Sequence, residues 1–343
     1  MRTLIYEYFA AGAGKDDGDL VPLGFAMLNA LLADFMLLPE LEIHTILHPR
    51  LRATLAQIPY ADRIKITWSG YSNNNWLAQL EEKMELCESV LLIAPETEGL
   101  LAQLIALAES KGKKILGSSA RAVGLVSNKA ATINLLKKHS LPVPKTEVWT
   151  WPLPAQWAEE IYERFTLPIV LKPVYGTGGQ GVVLIKEPAQ LVKSLQQLEE
   201  AVNGKPFLVQ EYINGEAVSV SCLVAGGKVL PLSLNRQIVA QEGQFLFQGI
   251  TVPYWHPQVR EAFRVVTKAC ELVEGLAGFV GVDLVLRQDG PVIMEINSRV
   301  TVAYVALRKV LKRNLALDLW QSCLEHRLPA PPEFSGTFTY LSG

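Results

Sequence analysis

Phe279-Val-Gly-Val-Asp283-Leu-Val-Leu-Arg-Gln-Asp-Gly-Pro-Val-Ile-Met-Glu295-Ile-Asn297-Ser-Arg299 is a pair of apolar runs around a turn. Glycine at the third place of Gln288-Asp289-Gly290 suits the left-handed position of a three-residue hairpin. That register sets Asp283 opposite Glu295. Because side chains alternate along a strand, Asn297 shares their face, while Met294 and Ile296 point the other way into packing. Facing carboxylates repel one another and destabilise a sheet. A divalent cation removes the conflict, and two acids with an amide are the oxygen donors that suit magnesium, which retains water and shares substrate phosphates. The alternative is an edge hairpin whose acids face water or pair with Arg287 or Arg299; the apolar strands around them argue against a solvated face.

Upstream, Val170-Leu-Lys172-Pro leads into Tyr175-Gly-Thr-Gly-Gly-Gln-Gly181. A lysine ending a strand is a fixed cation, and closely spaced glycines let backbone N–H groups close on phosphate oxygens without side-chain obstruction. The pair reads as a phosphate clamp, or alternatively as a glycine-rich hairpin beside an ordinary exposed lysine. It is not a Walker loop. Gly14-Lys15 is followed by Asp16 and has Phe9 where the first glycine belongs, and Gly12-x-Gly14 has Asp17 where a dinucleotide fingerprint needs its third glycine. Between clamp and hairpin, Phe207-Leu-Val-Gln-Glu211-Tyr-Ile-Asn-Gly-Glu216 runs from an apolar strand into acids and a glycine bend. That suits a hinge that reads an adenine edge, though an ordinary strand and turn would look the same.

The rest of the chain organises around these motifs. Strands are expected at Thr3 to Tyr6, Glu42 to Leu47, Ile64 to Thr67, Val90 to Ala94 and Lys114 to Gly117. Helices at Leu20 to Leu38, Trp76 to Leu86 and Gly99 to Lys111 alternate with them. That alternation predicts an open parallel sheet flanked by helices, ending near Ala120. Beyond it come a helix at Asn128 to His139, a strand at Pro168 to Lys172, and another at Val182 to Ile185. A helix follows at Pro188 to Ala201, then antiparallel strands at Phe207 to Gln210, Val218 to Val224 and Lys228 to Leu232, and a helix at Gln258 to Glu274. The proline-, serine- and threonine-rich Leu328 to Gly343 reads as a surface extension.

Composition excludes other classes. In 343 residues, 32 Lys+Arg nearly balance 34 Asp+Glu, so a polycationic nucleic-acid surface is not expected. Cys87, Cys222, Cys270 and Cys323 are scattered without a C-x-x-C pair, which argues against a zinc site or disulfide framework. Met1 to Phe9 does not read as a signal peptide. Leu20 to Leu38 is interrupted by Asn29 and Asp34, so it does not read as a membrane span. The expectation is a cytoplasmic protein without membrane or nucleic-acid partners, compatible with a homodimer.

The order Lys129, Lys172 with its glycine loop, Gln210-Glu211, Asp283, then Glu295-x-Asn297-x-Arg299 resembles the ATP-grasp superfamily from about Ser118 to Leu311. The resemblance implies an α/β protein in four parts: an N-terminal open parallel α/β domain over 1–120, a small lid subdomain over 121–206, a C-terminal α+β antiparallel-sheet subdomain over 207–327, and an extension over 328–343. It also implies roles. Lys129 and Lys172 would contact the α- and β-phosphates of ATP, and Gly176, Thr177, Gly178, Gly179 and Gly181 would fold over the triphosphate. Gln210, Glu211 and Ile213 would line the adenine site, with Glu216 on the ribose. Asp283, Glu295 and Asn297 would bind magnesium, or manganese in its place. Arg299 would face the transferred phosphoryl group, with Arg236 a second cation there.

Ile5-Tyr-Glu-Tyr-Phe9, Ile93-Ala-Pro-Glu-Thr97, Gln210-Glu-Tyr-Ile-Asn-Gly-Glu216, Leu234-Asn-Arg-Gln237 and Glu295-Ile-Asn-Ser-Arg-Val-Thr301 most resemble the tyramine-glutamate ligases of methanofuran biosynthesis. The resemblance implies small-molecule substrates, a carboxylate and an amine: the γ-carboxylate of glutamate is activated as an acyl phosphate and condensed with an aromatic amine. Ser298, where a proline is common, and the acidic insert Lys15 to Asp19 depart from the pattern. A ligase for another acid and amine, and a non-catalytic ATP-binding regulator, remain alternatives at this stage. An amine nucleophile must lose its ammonium proton, and Glu7 and Glu96, at the ends of expected strands, are candidate bases.

Overall fold

The structure is a computed structural model describing residues 1–14, 20–55, 58, 61–70, 75–176, 178–241 and 245–342. Thr177 and the acidic insert at 15–19 lie outside the described residues.

The first lobe comprises β1 Arg2–Glu7, α1 Leu20–Phe35, β2 Glu42–Leu47, α2 Arg52–Leu55, β3 Lys65–Trp68, α3 Trp76–Leu86, β4 Ser89–Ile93, α4 Leu100–Ser110 and β5 Lys114–Ile115. Its strands form a parallel sheet in the order β3-β2-β1-β4-β5. β1 and β4 are apolar on both faces because helices cover both. Leu4 and Tyr6 pack on the α3/α4 side, and Ile5 packs on the α1 side. The order reverses between β1 and β4, so their connections diverge and open a crevice at the carboxyl ends of these two strands.

α5 Ala120–Ser127 and α6 Lys129–Lys138 lead to the second lobe, which is β6 Thr146–Trp149, α7 Trp157–Arg164, β7 Ile169–Pro173, β8 Val183–Ile185, α8 Pro188–Val202 and β9 Phe207–Glu211. Here the order is β6-β9-β7-β8, antiparallel throughout. The third lobe is β10 Glu216–Ala225, β11 Lys228–Gln241, β12 Phe245–Val252, α9 Val259–Glu271, β13 Gly278–Arg287, β14 Gly290–Asn297, α10 Ala303–Val310, α11 Leu315–Leu324 and β15 Phe338–Leu341. These strands form one antiparallel sheet, β14-β13-β10-β11-β12-β15. Its even-numbered residues Val218, Val220, Leu234, Val282 and Leu284 pack on α9. Its other face turns toward α10, α11 and the first lobe through Leu223, Phe279 and Tyr304.

Three expectations change. Lys228 to Leu232 is only the start of β11, which continues to Gln241 and pairs with β12, a strand the sequence reading lacked. The terminal segment read as a surface extension contributes β15, the exposed edge strand hydrogen-bonded to β12. In the β13–β14 hairpin, Arg287 pairs with Gly290, so the turn is one residue tighter than the three-residue loop, with Gly290 at φ 130°. A bulge between Asp283 and Leu284 absorbs the missing residue, and Asp283 still pairs with Glu295.

The first and third lobes are pinned together away from the crevice. Asp34 on α1 accepts from Tyr304 Oη at 2.9 Å and from Arg308 Nε and Nη2 at 2.9 and 2.6 Å. Asn314 donates to the Asp34 carbonyl at 2.9 Å.

Candidate active site

Register places the acids. Asp283 pairs with Glu295 on β14 and with Ser219 on β10, and Ser219 pairs with Asn235 on β11. All four share one face with Asn297, Ser221, Ser233 and Gln237, so a polar stripe crosses apolar strands. The stripe is internally bonded. Asn235 Nδ2 donates to Ser219 and Ser221 Oγ at 3.2 and 3.0 Å, and Asn235 Oδ1 accepts from Ser233 Oγ at 2.6 Å. Asp283 ends it, accepting from Gln237 Nε2 at 2.9 Å and Asn297 Nδ2 at 3.0 Å. Burial, and then the neighbouring Glu295, push the Asp283 carboxyl up to about 7 against the pull of those amides.

The second lobe supplies cations from above. Asn128 caps α6 by accepting from Ala131 N at 3.0 Å and donates to Tyr175 Oη at 2.9 Å. That fixes the helix start against the glycine segment and aims Lys129. Lys129 Nζ lies 3.0 Å from Glu295 Oε1 and donates to the Gly176 carbonyl at 2.8 Å. Lys172, on β7, is buried, and burial lowers its ammonium to about 8, with Lys129 adding to the fall and Glu295 opposing it. Gly178, Gly179 and Gly181 follow with φ of 64°, 75° and 70°. A Cβ on Gly179 would stand 2.7 Å from the Phe245 carbonyl oxygen, so the segment passes β12 at a distance that only glycine permits.

At the hinge, Gln210 donates to Thr146 Oγ1 at 2.7 Å, and Glu211 accepts from the Lys145 N–H at 2.7 Å. Ile213 is buried beside them. The structure thus brings Lys129, Lys172, Gly176, Asp283, Glu295 and Asn297 to one cleft, with Gln210 and Glu211 ending β9 of the same lobe as Lys172.

Arg236 and Glu216 do not belong to this group. Arg236 pairs with Val218, one step from the Ser219–Asn235 pair, so it emerges on the α9 face, opposite Asp283. There its Nε lies 2.9 Å from Glu216 Oε1, and Tyr254 Oη donates to Glu216 Oε2 at 2.9 Å. The expected second phosphoryl cation and the expected ribose ligand are partners of each other on the wrong side of the sheet. Gln237, missed in the sequence, occupies the cleft side instead. The alternation Ser233-x-Asn235-x-Gln237 within an apolar strand was the available signal.

Arg299 follows β14 and reaches across the lobe boundary, with its Nε 3.4 Å from Glu96 Oε1 at the end of β4. Glu7 ends β1 on the neighbouring strand. Burial raises its carboxyl to about 7, while N–H groups of Ala10, at 2.6 Å, and Phe9 oppose the rise. A Cβ on Gly24 of α1 would fall 2.4 Å from Glu7 Oε2, so α1 seats directly on this carboxyl. Gly12, part of the rejected dinucleotide pattern, has its own reason: a Cβ there would stand 2.5 Å from the His48 ring, at φ 76°.

Comparison with known proteins covers the segments that build this cleft. The ATP-grasp domain family matches residues 126–303, more than half of the chain, and the pre-ATP-grasp 3 domain family matches 41–123. A tyramine–L-glutamate ligase of Methanocaldococcus jannaschii is 30% identical over 308 residues, covering 90% of this chain and 85% of its own. A crystal structure described as a putative ATP-grasp superfamily protein from Archaeoglobus fulgidus superposes with TM-score 0.69 at 25% identity, covering 94% of this chain and 88% of that one. Biotin carboxylase from Campylobacter jejuni superposes with TM-score 0.78 at 14% identity, covering 98% and 74%, and so shares the fold. No helix among the described residues is long and apolar enough to cross a membrane. By the family match over more than half of its length and by its likeness to a tyramine–L-glutamate ligase over nine-tenths of it, this chain belongs to the ATP-grasp family and is an ATP-dependent carbon–nitrogen ligase.

Proposed function

We propose that the chain condenses the γ-carboxylate of L-glutamate with tyramine, releasing ADP and phosphate. The carrying observation is the match to a tyramine–L-glutamate ligase along nine-tenths of the chain, with the acid, lysine and arginine cluster intact. A carboxylate is a poor electrophile, so its oxygen must first become part of a better leaving group. Transfer of the γ-phosphoryl group makes an acyl phosphate as the bond to ADP breaks. The neutral amine nitrogen then attacks the carbonyl carbon, phosphate departs with the C–O electron pair, and the surplus proton on nitrogen leaves to the phosphate or to water.

In this reading Lys129 and Lys172 hold phosphate oxygens, and the glycine segment excludes water from the triphosphate. Gln210, Glu211 and Ile213 flank adenine. Arg299 stabilises negative charge as it moves onto the acyl phosphate. The donor set suits a hard divalent cation: two carboxylates forced face to face by register, the Asn297 amide beside them, and an Asp283 carboxyl that burial and Glu295 hold at about 7. Magnesium bound there by Asp283, Glu295 and Asn297 would supply charge neutralisation on the β- and γ-oxygens. Manganese, with similar oxygen preference, is the expected substitute. Cys87, Cys222, Cys270 and Cys323 are all buried free thiols, which suits work in a reducing cytoplasm.

The test is an ADP-release assay in which glutamate and other amino acids are each crossed with tyramine and other amines. Full rate is expected only with glutamate and tyramine together. Silence of that pair beside an active different pair would refute the substrate assignment and leave the ligase chemistry standing.

A further inference from the structure

Glu7 ends β1 and Glu96 lies three residues beyond the end of the adjacent β4, at the point where the parallel sheet reverses its order, yet their carboxylates are in different states. Glu7 is held by backbone N–H groups and covered by α1. Glu96 is 0% exposed, and neither of its oxygens has a hydrogen-bond partner among the described residues. Its nearest cation, Arg299 Nε, stands at 3.4 Å without the geometry of a hydrogen bond. Buried carboxylates in native structures are almost always hydrogen-bonded, because an unsatisfied one forfeits its hydration without return. A donor is therefore missing at Glu96.

Two ordinary explanations are weakened by position. A water-sized cavity of about 20 Å³ does lie nearby, lined by Ser118, Phe279, Ser298 and Arg299, but Glu96 is not part of its wall. A purely structural ion pair with Arg299 would be expected to close to hydrogen-bonding distance, as Arg308 closes on Asp34 Oδ1 with Nε at 2.9 Å and Nη2 at 2.6 Å in this same molecule. Glu96 sits instead at the carboxyl end of β4, where ligands of open α/β sheets bind. It also lies near enough to Arg299, Glu295 and Lys129 to feel all three charges. A molecule reaching it from the cleft would stand beside the transferred phosphoryl group.

We propose that Glu96 is a binding site for a primary ammonium group of a substrate, docked at the β1–β4 crevice against Arg299. An ammonium carries three donors and one positive charge, the complement of two empty carboxylate oxygens. Both the amine substrate and the α-ammonium of an amino-acid substrate have that chemistry, so the inference rests on the amide-ligase reading and refines where one of its substrates lies.

Isothermal titration in the presence of magnesium and a non-hydrolysable ATP analogue separates the sources. Tyramine is paired with tyrosol, which has a hydroxyl in place of the amine, and L-glutamate is paired with glutarate, which lacks the α-amine. For the ammonium that Glu96 holds, removing the amine from the ligand, or making Glu96→Gln in the protein, should each weaken binding roughly 10- to 100-fold. The ATP analogue should be little affected, and Glu96→Asp should restore part of the loss. If tyrosol and glutarate bind the unaltered protein as tightly as their parents, the inference is overturned without any variant. It is also overturned if Glu96→Gln weakens the ATP analogue as much as the amines, which would make Glu96 a support for Arg299 alone. Should the glutamate–tyramine pair be silent in ADP release, the same titration with methylammonium still decides: binding lost on Glu96→Gln supports the site, and equal binding or none refutes it.

Discussion

The two faces of the third-lobe sheet carry similar side chains to opposite ends. On the cleft face, Asp283 is held by Gln237 and Asn297, and Glu295 meets Lys129 at 3.0 Å with side-chain exposures of 22% and 7%. On the other face, Glu216 meets Arg236 at 2.9 Å with exposures of 29% and 57%. The shorter contact is the weaker device, because water screens an exposed pair and competes for its donors. Distance alone does not identify a site. What separates the faces is that cleft-side charges have lost their water and must be satisfied by one another or by a ligand, so their free energy is available for binding.

The sharpest way to break that contrast is Arg299→Ala. If Arg299 acts on charge that develops only during phosphoryl transfer, turnover should fall on the order of 10³-fold, by analogy with arginine fingers, while ATP affinity changes little. Steady-state kinetics with varied ATP check this. Equal losses in turnover and ATP affinity would reassign Arg299 to ground-state binding.

Lys172→Met should come next, removing a charge-assisted contact worth about 1.5–3 kcal/mol, or roughly 10- to 100-fold in ATP affinity. A pH series sharpens it. Burial holds the Lys172 ammonium at about 8, so the phosphate-binding form is depleted as pH rises through that value in the free protein. ATP affinity should weaken above pH 8 in the unaltered protein and stay level in Lys172→Met. Parallel pH profiles would show that Lys172 does not bear on phosphate.

How far these faces were legible in the sequence depends on range. The Asp283–Glu295 pairing follows from a local hairpin and survived a wrong turn length, since a bulge at Asp283 restores the register. Arg236 was misplaced because its face is set by pairing with Val218 on β10, eighteen residues back and across a bulge. Its own strand nonetheless carried the correction: polar Ser233, Asn235 and Gln237 alternate with Leu232 and Leu234, so Arg236 had to face away from them. β12 and β15 were missed for related reasons. β12 exposes Leu246 on a half-solvated strand, and β15 is four residues after a proline-rich run. The Glu96–Arg299 contact is invisible to any window, because only the docking of two lobes creates it.

Glu7 offers a stability comparison between the two carboxyls at the crevice. Its carboxyl moves from 4.5 to about 7 in the fold, chiefly through burial. The folded state therefore binds the proton more tightly than the unfolded chain. The stabilisation is complete below about pH 4.5 and is lost as pH rises through 7. Glu7→Gln cannot titrate, so its stability relative to the unaltered protein should improve by up to about 3 kcal/mol between pH 4.5 and 8. Denaturant melts across that interval measure it. A pH-independent difference would mean that the Ala10 and Phe9 N–H groups already keep Glu7 ionised.

The smallest effect belongs to the back of the sheet. Arg236→Ala removes one exposed ion pair and a guanidinium 5.8 Å from the Tyr254 ring centroid. Glu216 keeps its bond from Tyr254, so no buried acceptor is orphaned. Exposed pairs contribute less than about 1 kcal/mol, and the Arg236 side chain has no register path to Asp283. Melting temperature should move by no more than a few degrees, and turnover with saturating substrates should stay within about twofold. A large loss of turnover with unchanged stability would mean that Arg236 swings around the sheet end to the phosphates. In that case the division of labour between the two faces would have to be redrawn, since a charge on the solvated side would then be taking part in the chemistry.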